Sequence, residues 1–279
     1  MGFDKISFTL IFFDCLLLTA FHFSAKANDK LREGLRIKAD YSSYSYDFKS
    51  EDGPNNWGNL NPQWKNCKTG EKQSPIAISH RHVSLSVLHG DLKIKYKPAK
   101  AVIKKGSHLV EVEWKGDAGG IVINGIKYKL VQCHWHTPSE HTVNRFRGAA
   151  ELHVVHKNDA GDAAVIAILY AIGPPDPFLG LVLPHLASNA SAPDLGVLNP
   201  FWINLRDRLY YRYIGSFTTP PCSENVTWTV FKFVRTISRQ QIYALRTSVK
   251  DGKLGTARPI QAMNGRTVYY IFDEPRPSI

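Results

Sequence analysis

Alternation between apolar and polar residues is the dominant pattern along this chain. Apolar side chains recur at every second position, β-branched and aromatic residues are frequent, and turn-forming residues separate the runs. This period is typical of β-strands that place one face in a core. It predicts strands over Leu92–Tyr96, Ala101–Lys104, His108–Trp114, Gly120–Ile123, Lys127–His136, Glu151–Lys157, Ala163–Ile172, Tyr210–Ser216 and Val226–Val234.

Helical patterns are few and short. They cover Pro177–Leu186 and Ser238–Ser248, and Ser238 is a good N-cap residue for the second helix. No internal repeat, low-complexity tract or long linker divides the chain after its first segment. We therefore predict a mainly β, single-domain fold with a large central sheet and short peripheral helices.

The first residues have the layout of an export signal. The apolar run Ile6–Phe23 follows a charged start and ends in the small-residue pattern Ala25-Lys26-Ala27. This layout predicts a secretory signal peptide over residues 1–27. We interpret the polar, Tyr- and Ser-rich residues 28–45 as a loosely ordered arm and residues 46–279 as the folded domain. No later stretch is long and apolar enough to span a bilayer, so no membrane anchor is expected.

Basic residues outnumber acidic ones, 35 to 24, and give a formal net charge of +11. They are scattered along the chain rather than gathered in an arginine-rich helix, a zinc finger or an RNA-binding motif. The composition therefore does not favour a nucleic-acid-binding protein. It does favour the attraction of anions or of an acidic wall to the surface.

Two of the four cysteines are candidates for a disulfide. Of the four, Cys15 would leave with the signal peptide and Cys133 has the surroundings of a small, buried apolar residue. Cys67 and Cys222 both lie in polar, turn-like contexts. Since an exported protein folds under oxidising conditions, we predict a disulfide between Cys67 and Cys222.

Two sequence motifs match the acceptor pattern for N-glycosylation. Asn189-Ala190-Ser191 lies in a polar stretch flanked by proline, and we take Asn189 as the glycosylation candidate. Asn225-Val226-Thr227 leads into an apolar run that is predicted to be a buried strand. We therefore do not expect Asn225 to be modified.

A histidine pattern indicates a metal site. His134 and His136 are two residues apart on a predicted strand, so both imidazoles face the same side of the sheet. A second strand that runs back beside it offers His153 as a third ligand. Three neutral histidines without a fourth protein ligand describe an open tetrahedral Zn²⁺ site, in which water completes the coordination. Gln132 and Glu151 share the faces of these histidines and can accept their spare ring N–H groups.

The same residues also fit a different metal-binding core. His134-x-His136 followed by Glu140 matches the H-x-H-x₃-E pattern of the cupins, in which the glutamate binds manganese or iron. The glycine that this pattern expects six residues before His134 is Tyr128, which argues against a cupin.

Seven short motifs, in this order, resemble the α-class carbonic anhydrases, and in particular the plant members. They are Gly53–Gly58, Gln73–Ile76, Gln132–His136, Ser139–Val143, Glu151–His156, Gly215–Cys222 and Val226–Trp228. The resemblance covers residues 46–272. It implies a large, mostly antiparallel twisted sheet with zinc at the bottom of a conical cleft. It also implies a zinc lyase that reversibly hydrates carbon dioxide to bicarbonate and a proton through a zinc-bound hydroxide.

The resemblance assigns a role to each matching position. It implies zinc ligands at His134, His136 and His153, with hydrogen-bonding partners at Gln132 and Glu151. It implies a gatekeeper threonine at Thr218, with Glu140 as the carboxylate that accepts its hydrogen bond. It implies a second hydroxyl at the anion site, from Thr219, and a proton shuttle at His108. It implies an apolar wall for carbon dioxide at Val155, Val165, Val226 and Trp228. The disulfide of secreted members falls on Cys67 and Cys222.

One departure from the family pattern affects the expected activity. Phe217 precedes Thr218 where many active members have leucine, and its ring would take up space in the substrate pocket. Because the family also includes weakly active plant storage and nectar proteins, a storage or defence protein is the alternative function. Entry into the secretory pathway could lead to secretion into the apoplast, to a vacuole or to a chloroplast. The partners expected are small molecules, and the sequence leaves the oligomeric state open.

Overall fold

The structure is a computed structural model that describes residues 44–87, 92–106, 108–186, 192–205 and 209–272. These residues belong to one compact unit. The predicted signal peptide, most of the predicted arm over residues 28–45 and the glycosylation candidate Asn189 lie outside the described residues.

Strands make up most of the described fold. They are β1 (Ala77–Ile78), β2 (Val83–Val87), β3 (Leu92–Tyr96), β4 (Ala99–Lys105), β5 (Val110–Lys115), β6 (Gly119–Ile123), β7 (Ile126–His136), β8 (Thr142–Val143), β9 (Phe146–Arg147), β10 (Ala150–Lys157), β11 (Ala163–Ile172), β12 (Asp194–Leu198), β13 (Leu209–Ser216), β14 (Glu224–Phe231), β15 (Arg235–Ile237) and β16 (Val268–Phe272).

The strands form one large sheet and one small sheet. The main path of the large sheet runs β12-β4-β5-β7-β10-β11-β14-β13-β16-β2, with β6 and β3 added beside β7 and β15 beside β11. Its neighbours are antiparallel except for β11 with β14, β11 with β15, and β16 with β2. The small sheet consists of β1, β8 and β9. The predicted mainly β fold with a large, mostly antiparallel sheet is confirmed.

Helices are short and lie beside the sheets. They are α1 (Trp57–Leu60), α2 (Asn66–Thr69), α3 (Pro177–Val182) and α4 (Arg239–Thr247), with 3₁₀ turns at Pro62–Trp64, His80–His82, Leu183–His185 and Pro200–Ile203. Ser238 caps α4 as predicted, because its side chain accepts a hydrogen bond from the backbone N–H of Gln241. None of the helices in the described part of the chain is long and apolar enough to cross a membrane.

Strand β10 shows why the centre of the sheet is buried on both sides. Leu152 and Val154 point into the larger apolar core, whereas His153 and Val155 point to the opposite face. All of them are buried. Since strand side chains alternate, this one strand contributes to the core with one set of residues and to the candidate site with the other.

A cluster of aromatic rings lies next to the disulfide. Cys67 and Cys222 are bonded to each other, which confirms the predicted pair. Around them pack Tyr44, Tyr46 and two tryptophans, Trp57 and Trp64. Tyr44 is 1% exposed, so the part of the predicted arm that the structure describes is packed into the domain rather than loose.

Three predicted details differ from the structure. The strand predicted from His108 begins at Val110, and the His108 ring outside it stacks on Tyr44 and contacts Asp251. The strand predicted to end at Val234 ends at Phe231, and β15 follows as a separate element. Asn225 itself is exposed, at a φ of 66° beside a β-bulge, although the run that follows it is the mostly buried strand that was predicted.

Buried His156 makes the fold sensitive to acid. Its Nδ1 donates to the carbonyl of Ala164 at 3.2 Å, and Tyr96 Oη donates to its Nε2 at 2.6 Å. Burial lowers the pKa of the His156 imidazole to about 3. An unfolded chain protonates this ring below a pKa of about 6.5, so stability is complete above that pH and is lost as the pH falls towards 3.

We expect His156→Gln to flatten the pH dependence of stability. Between about pH 6 and pH 4, the free energy of unfolding of the variant should fall less steeply with pH than that of the wild type. The two slopes should differ by about 1.4 kcal/mol per pH unit. Denaturant titrations at a series of pH values measure this slope. The exposed His82→Gln is the matched control and should keep the wild-type slope. Equal slopes for all three proteins would show that His156 is protonated in the folded state.

Candidate metal centre and active site

Three imidazoles come together where β7 and β10 lie side by side. The ladder pairs His153 with His134, and it pairs Glu151 with His136. One ring nitrogen from each histidine lies within 4.8 Å of the other two. Because all three come from two adjacent, rigid strands, their separation is set by the sheet itself.

Hydrogen bonds fix which nitrogen of each ring on β7 is free. His134 Nδ1 is 2.8 Å from Gln132 Oε1, and His136 Nδ1 is 2.5 Å from the carbonyl oxygen of Thr256. Since both partners are acceptors, each Nδ1 carries the proton and each Nε2 has a lone pair. His136 Nε2 is buried and has no hydrogen-bond partner among the described residues.

Glu151 fixes the ring of His153 on β10 through the other nitrogen, Nε2. Its Oε1 accepts from His153 Nε2 at 2.8 Å and from His141 Nδ1 at 2.6 Å. Its Oε2 accepts from the backbone N–H groups of Glu140 and His141, both at 2.8 Å. His153 therefore presents Nδ1 as the free nitrogen. Burial alone would raise the pKa of the Glu151 carboxyl, but the two rings and their N–H donors hold it well below its ordinary value.

The surroundings keep the rings on β7 uncharged. Burial, followed by repulsion from the neighbouring rings, lowers the pKa of His134 well below its ordinary value. Burial also lowers the pKa of His136. Three imidazole nitrogens are a donor set that suits Zn²⁺, and this group, as found among the described residues, includes no carboxylate. The chain therefore fits a zinc ion with one open coordination position.

A carboxylate lies beside these nitrogens. Glu140 is fully buried, and its Oε1 accepts a hydrogen bond from the backbone N–H of Arg258 at 2.8 Å. Its Oε2 is 3.4 Å from His136 Nε2 and has no hydrogen-bond partner among the described residues. Thr218, the predicted donor to Glu140, is also buried, at 4% exposure. Glu140 can thus accept one further hydrogen bond inside the site.

The side chain of Arg258 anchors the residue whose backbone N–H binds Glu140. Its guanidinium donates to Gln73 Oε1 and to the carbonyl oxygens of Ser74 and Cys67. Burial lowers the pKa of this guanidinium to about 10. The resulting network holds the backbone N–H of Arg258 in place for Glu140.

An apolar wall borders the histidines. Among the predicted wall residues, Val155, Val165, Val226 and Trp228 belong to one buried cluster, and Phe217 packs against it while remaining partly exposed. The Trp228 ring is 4.8 Å from the His153 ring, centroid to centroid. The wall is therefore continuous with the candidate metal ligands. Thr219 is partly exposed, and its carbonyl oxygen accepts from the backbone N–H of Cys222 at 2.9 Å.

His108 has a different environment from the other predicted site residues. Its Nδ1 is 2.7 Å from Asp251 Oδ2, an oxygen that also accepts from the backbone N–H of Tyr46. Its ring stacks on Tyr44 with 4.3 Å between centroids, and it is only 2% exposed. A proton shuttle has to reach solvent, so the role predicted for His108 requires the ring to leave this position.

Several supporting residues escaped the sequence analysis. The carbonyl of Thr256 and the backbone N–H of Arg258 act on residues that precede them by 120 and 118 positions. A backbone group leaves no mark in the sequence, and neither residue is near a histidine motif. Tyr213, whose hydroxyl is 2.7 Å from His141 Nε2, gave only the signal of a strand residue.

Comparison with known proteins decides the family. The profile of the eukaryotic-type carbonic anhydrases matches residues 52–272. The chain belongs to the eukaryotic-type (alpha) carbonic anhydrase family. Within that family it is 47% identical over 233 residues to Alpha carbonic anhydrase 4 of Arabidopsis thaliana, covering 83% of this chain and 86% of the relative. This family membership excludes the cupin interpretation.

This chain is also similar to dioscorins. Dioscorin DB3L of Dioscorea polystachya is 38% identical over 263 residues, which cover 92% of this chain and 94% of the relative. A crystal structure of dioscorin complexed with ascorbate superposes with a TM-score of 0.80 at 37% identity, covering 83% of this chain and 98% of that one. The solved structure therefore supports the fold independently of the motifs.

Removal of one ligand should abolish zinc binding. We expect His136→Ala to lose stoichiometric zinc on dialysis against a chelator, because two imidazoles and water hold Zn²⁺ weakly. Metal content per chain, measured by atomic emission, reports the loss. The exposed His82→Ala is the matched control and should retain zinc. Stoichiometric zinc in dialysed His136→Ala would show that the ligand assignment is wrong.

Proposed function

We propose that this protein is a zinc lyase that reversibly hydrates carbon dioxide to bicarbonate and a proton. The observation that carries the proposal is the convergence of three imidazole nitrogens beside a buried apolar wall. Membership in the carbonic anhydrase family supports the same reaction. His134 and His136 would bind the ion through Nε2, and His153 through Nδ1.

The protein supplies orientation around the reacting oxygen. A Zn²⁺ ion held by these ligands supplies the charge that lowers the pKa of water to about 7. Glu140 Oε2 lacks a partner among the described residues, Thr218 included, and we propose that the Thr218 hydroxyl turns towards this oxygen and donates to it when the site is occupied. With its proton directed to Glu140, Thr218 can only accept a hydrogen bond from the attacking oxygen. That arrangement turns the oxygen lone pair towards the substrate carbon and disfavours ligands that cannot donate.

The apolar wall suits a nonpolar substrate. Val155, Val165 and Trp228 offer carbon dioxide a surface without competing hydrogen bonds. Burial of these side chains also keeps bulk water from one side of the site. Thr219, which is more exposed, offers a hydroxyl for the departing bicarbonate anion.

The disulfide supports a secretory route. Bonds such as Cys67–Cys222 form and persist in oxidising compartments. Together with the predicted signal peptide, this favours a secreted protein, with the vacuole and the chloroplast as further destinations of the same route. Glycosylation at Asn189 would follow from that route.

A storage or defence protein with weak residual activity is the second candidate. The observation that favours it is Phe217, which packs against the apolar wall and is only partly buried. A ring at this position narrows the space beside the histidines. The two candidates differ in how much turnover they require, so a rate measurement separates them.

The decisive experiment measures hydration of carbon dioxide by the zinc-loaded protein. Stopped-flow mixing with a pH indicator should give a zinc-dependent kcat/KM at or above roughly 10⁴ M⁻¹s⁻¹, the lower end for typical enzymes. His136→Ala, treated identically, provides the baseline. A zinc-loaded protein that is no faster than this baseline would overturn the proposed function and favour the storage role.

Shortening the side chain of Phe217 should accelerate the reaction. We expect Phe217→Leu to raise kcat/KM by roughly tenfold or more, equivalent to about 1.4 kcal/mol of barrier. Because the ring is partly exposed, the freed volume opens to substrate rather than leaving a closed cavity, and the melting temperature should change little. An unchanged rate with a clear loss of stability would make Phe217 a core residue.

Loss of His108 should affect proton export and not zinc. We expect His108→Ala to retain zinc and to lose rate by at least about tenfold in weak buffer, as for removal of a general acid–base group. Imidazole added to the solution should restore part of the rate. Equal wild-type and variant rates in weak buffer would mean that the ring stays against Tyr44 and Asp251 during turnover.

A further inference from the structure

Lysines gather on the outer side of the large sheet, where β3, β6, β7 and β10 lie next to one another. Each of them is exposed, whereas the residues between them along the strands face the apolar core. The ladder registers align them in two rows that cross the strands. We call these residues the lysine face: Lys93, Lys95, Lys127, Lys129 and Lys157.

A groove crosses the lysine face. Gly120 lies between Lys95 and Lys129 in the register, and its lack of a side chain keeps the floor low. A Cβ atom at Gly120 would come within 2.0 Å of the carbonyl oxygen of Tyr128, so the strands leave no room for another residue there. The groove has a volume of about 360 Å³. Its two lysine walls are two strand spacings apart, about 10 Å.

The groove has an excess of positive charge. Two acids line it, and each is already paired: Asp117 with Lys97 at 2.5 Å, and Asp159 with Lys129 at 2.5 Å. The other lysines of the face have no ion pair among the described residues: Lys93, Lys95, Lys127 and Lys157. The ammonium groups of these four lysines, which extend from neighbouring strands of one sheet, repel one another, and an anionic partner relieves that repulsion.

We propose that the lysine face binds an extended acidic polysaccharide whose sugars carry carboxylates. A single sugar chain fits a groove about 10 Å wide, and its carboxylates can meet the lysines on both sides. Sugar hydroxyls can donate to the carboxylates of Asp117 and Asp159, which line the same groove. The combination of ammonium donors and carboxylate acceptors therefore matches a polymer that has both acids and hydroxyls.

The composition of the face favours this partner over nucleic acid or an anionic membrane. The groove is lined by lysines and no arginine, although arginine is the residue that grips phosphate through two parallel hydrogen bonds. Its lining includes one aromatic residue, Tyr128, which is buried and cannot stack on a base. A flat bilayer surface would contact the rims of a groove and leave its floor empty.

Binding to polygalacturonate, used as the probe, tests the proposal on the full chain. The variant Lys95→Glu/Lys127→Glu reverses two unpaired charges of the face. The matched control, Lys49→Glu/Lys65→Glu, makes the same change of net charge at exposed lysines outside the face. Hydration of carbon dioxide and the melting temperature are measured in parallel, and both should be unchanged because neither pair belongs to the catalytic site.

The proposal requires a difference between the two variants. We expect the face variant to weaken binding of polygalacturonate by roughly tenfold or more and the control by less than about twofold. Binding should disappear in about 1 M sodium chloride, where the Debye length is about 3 Å. Fully methyl-esterified polymer should not bind. Lys95→Arg/Lys127→Arg should bind like the wild type.

Three results would overturn it. Equal weakening by both glutamate variants would mean that only net charge matters. Tighter binding to phosphatidylserine vesicles than to polygalacturonate would make the face a membrane-binding surface. Tighter binding to single-stranded RNA, lost in the face variant, would make it a nucleic-acid surface.

Discussion

The buried carboxylate of Glu151 is the group on which the candidate site depends. It accepts hydrogen bonds from two backbone N–H groups and from the rings of His141 and His153. An ionised group without water is stable only when such partners fill its lone pairs. The same four bonds orient His153 and hold the backbone at Glu140. Breaking a buried ionic network of this kind costs about 3–5 kcal/mol, so the site and the local stability of the sheet share one origin.

The doubly buried sheet makes this arrangement possible. Strand β10 places His153 on one face while Leu152 and Val154 anchor the strand in the main core on the other. The candidate metal ligands are therefore attached to central strands of the sheet, and no loop has to be ordered to assemble them. Such pre-organisation is what a site with a required ligand geometry needs.

Much of this could be predicted from sequence, because period-two alternation marks strands and the spacing of His134 and His136 marks a shared face. The contacts that complete the site could not. Thr256 and Arg258 act through backbone atoms over more than a hundred positions, and such contacts depend on the path of the whole chain. The position of the His108 ring also could not be predicted from the sequence, since no nearby residue indicates that Asp251 would bind it. Helices of four residues, such as α1, have too few turns to show a period.

The disulfide has a consequence for where this protein can mature. Cys222 follows Thr218 and Thr219 closely in the chain, and the carbonyl of Cys67 accepts from Arg258, whose backbone N–H holds Glu140. The cross-link, between residues 155 positions apart, therefore joins the threonine loop to the support of the carboxylate. A chain that folded in a reducing cytosol would lack this covalent bond next to Thr218 and Thr219. The geometry of the candidate site is thereby coupled to the redox state of Cys67 and Cys222, so oxidation of this pair would itself act as a maturation step.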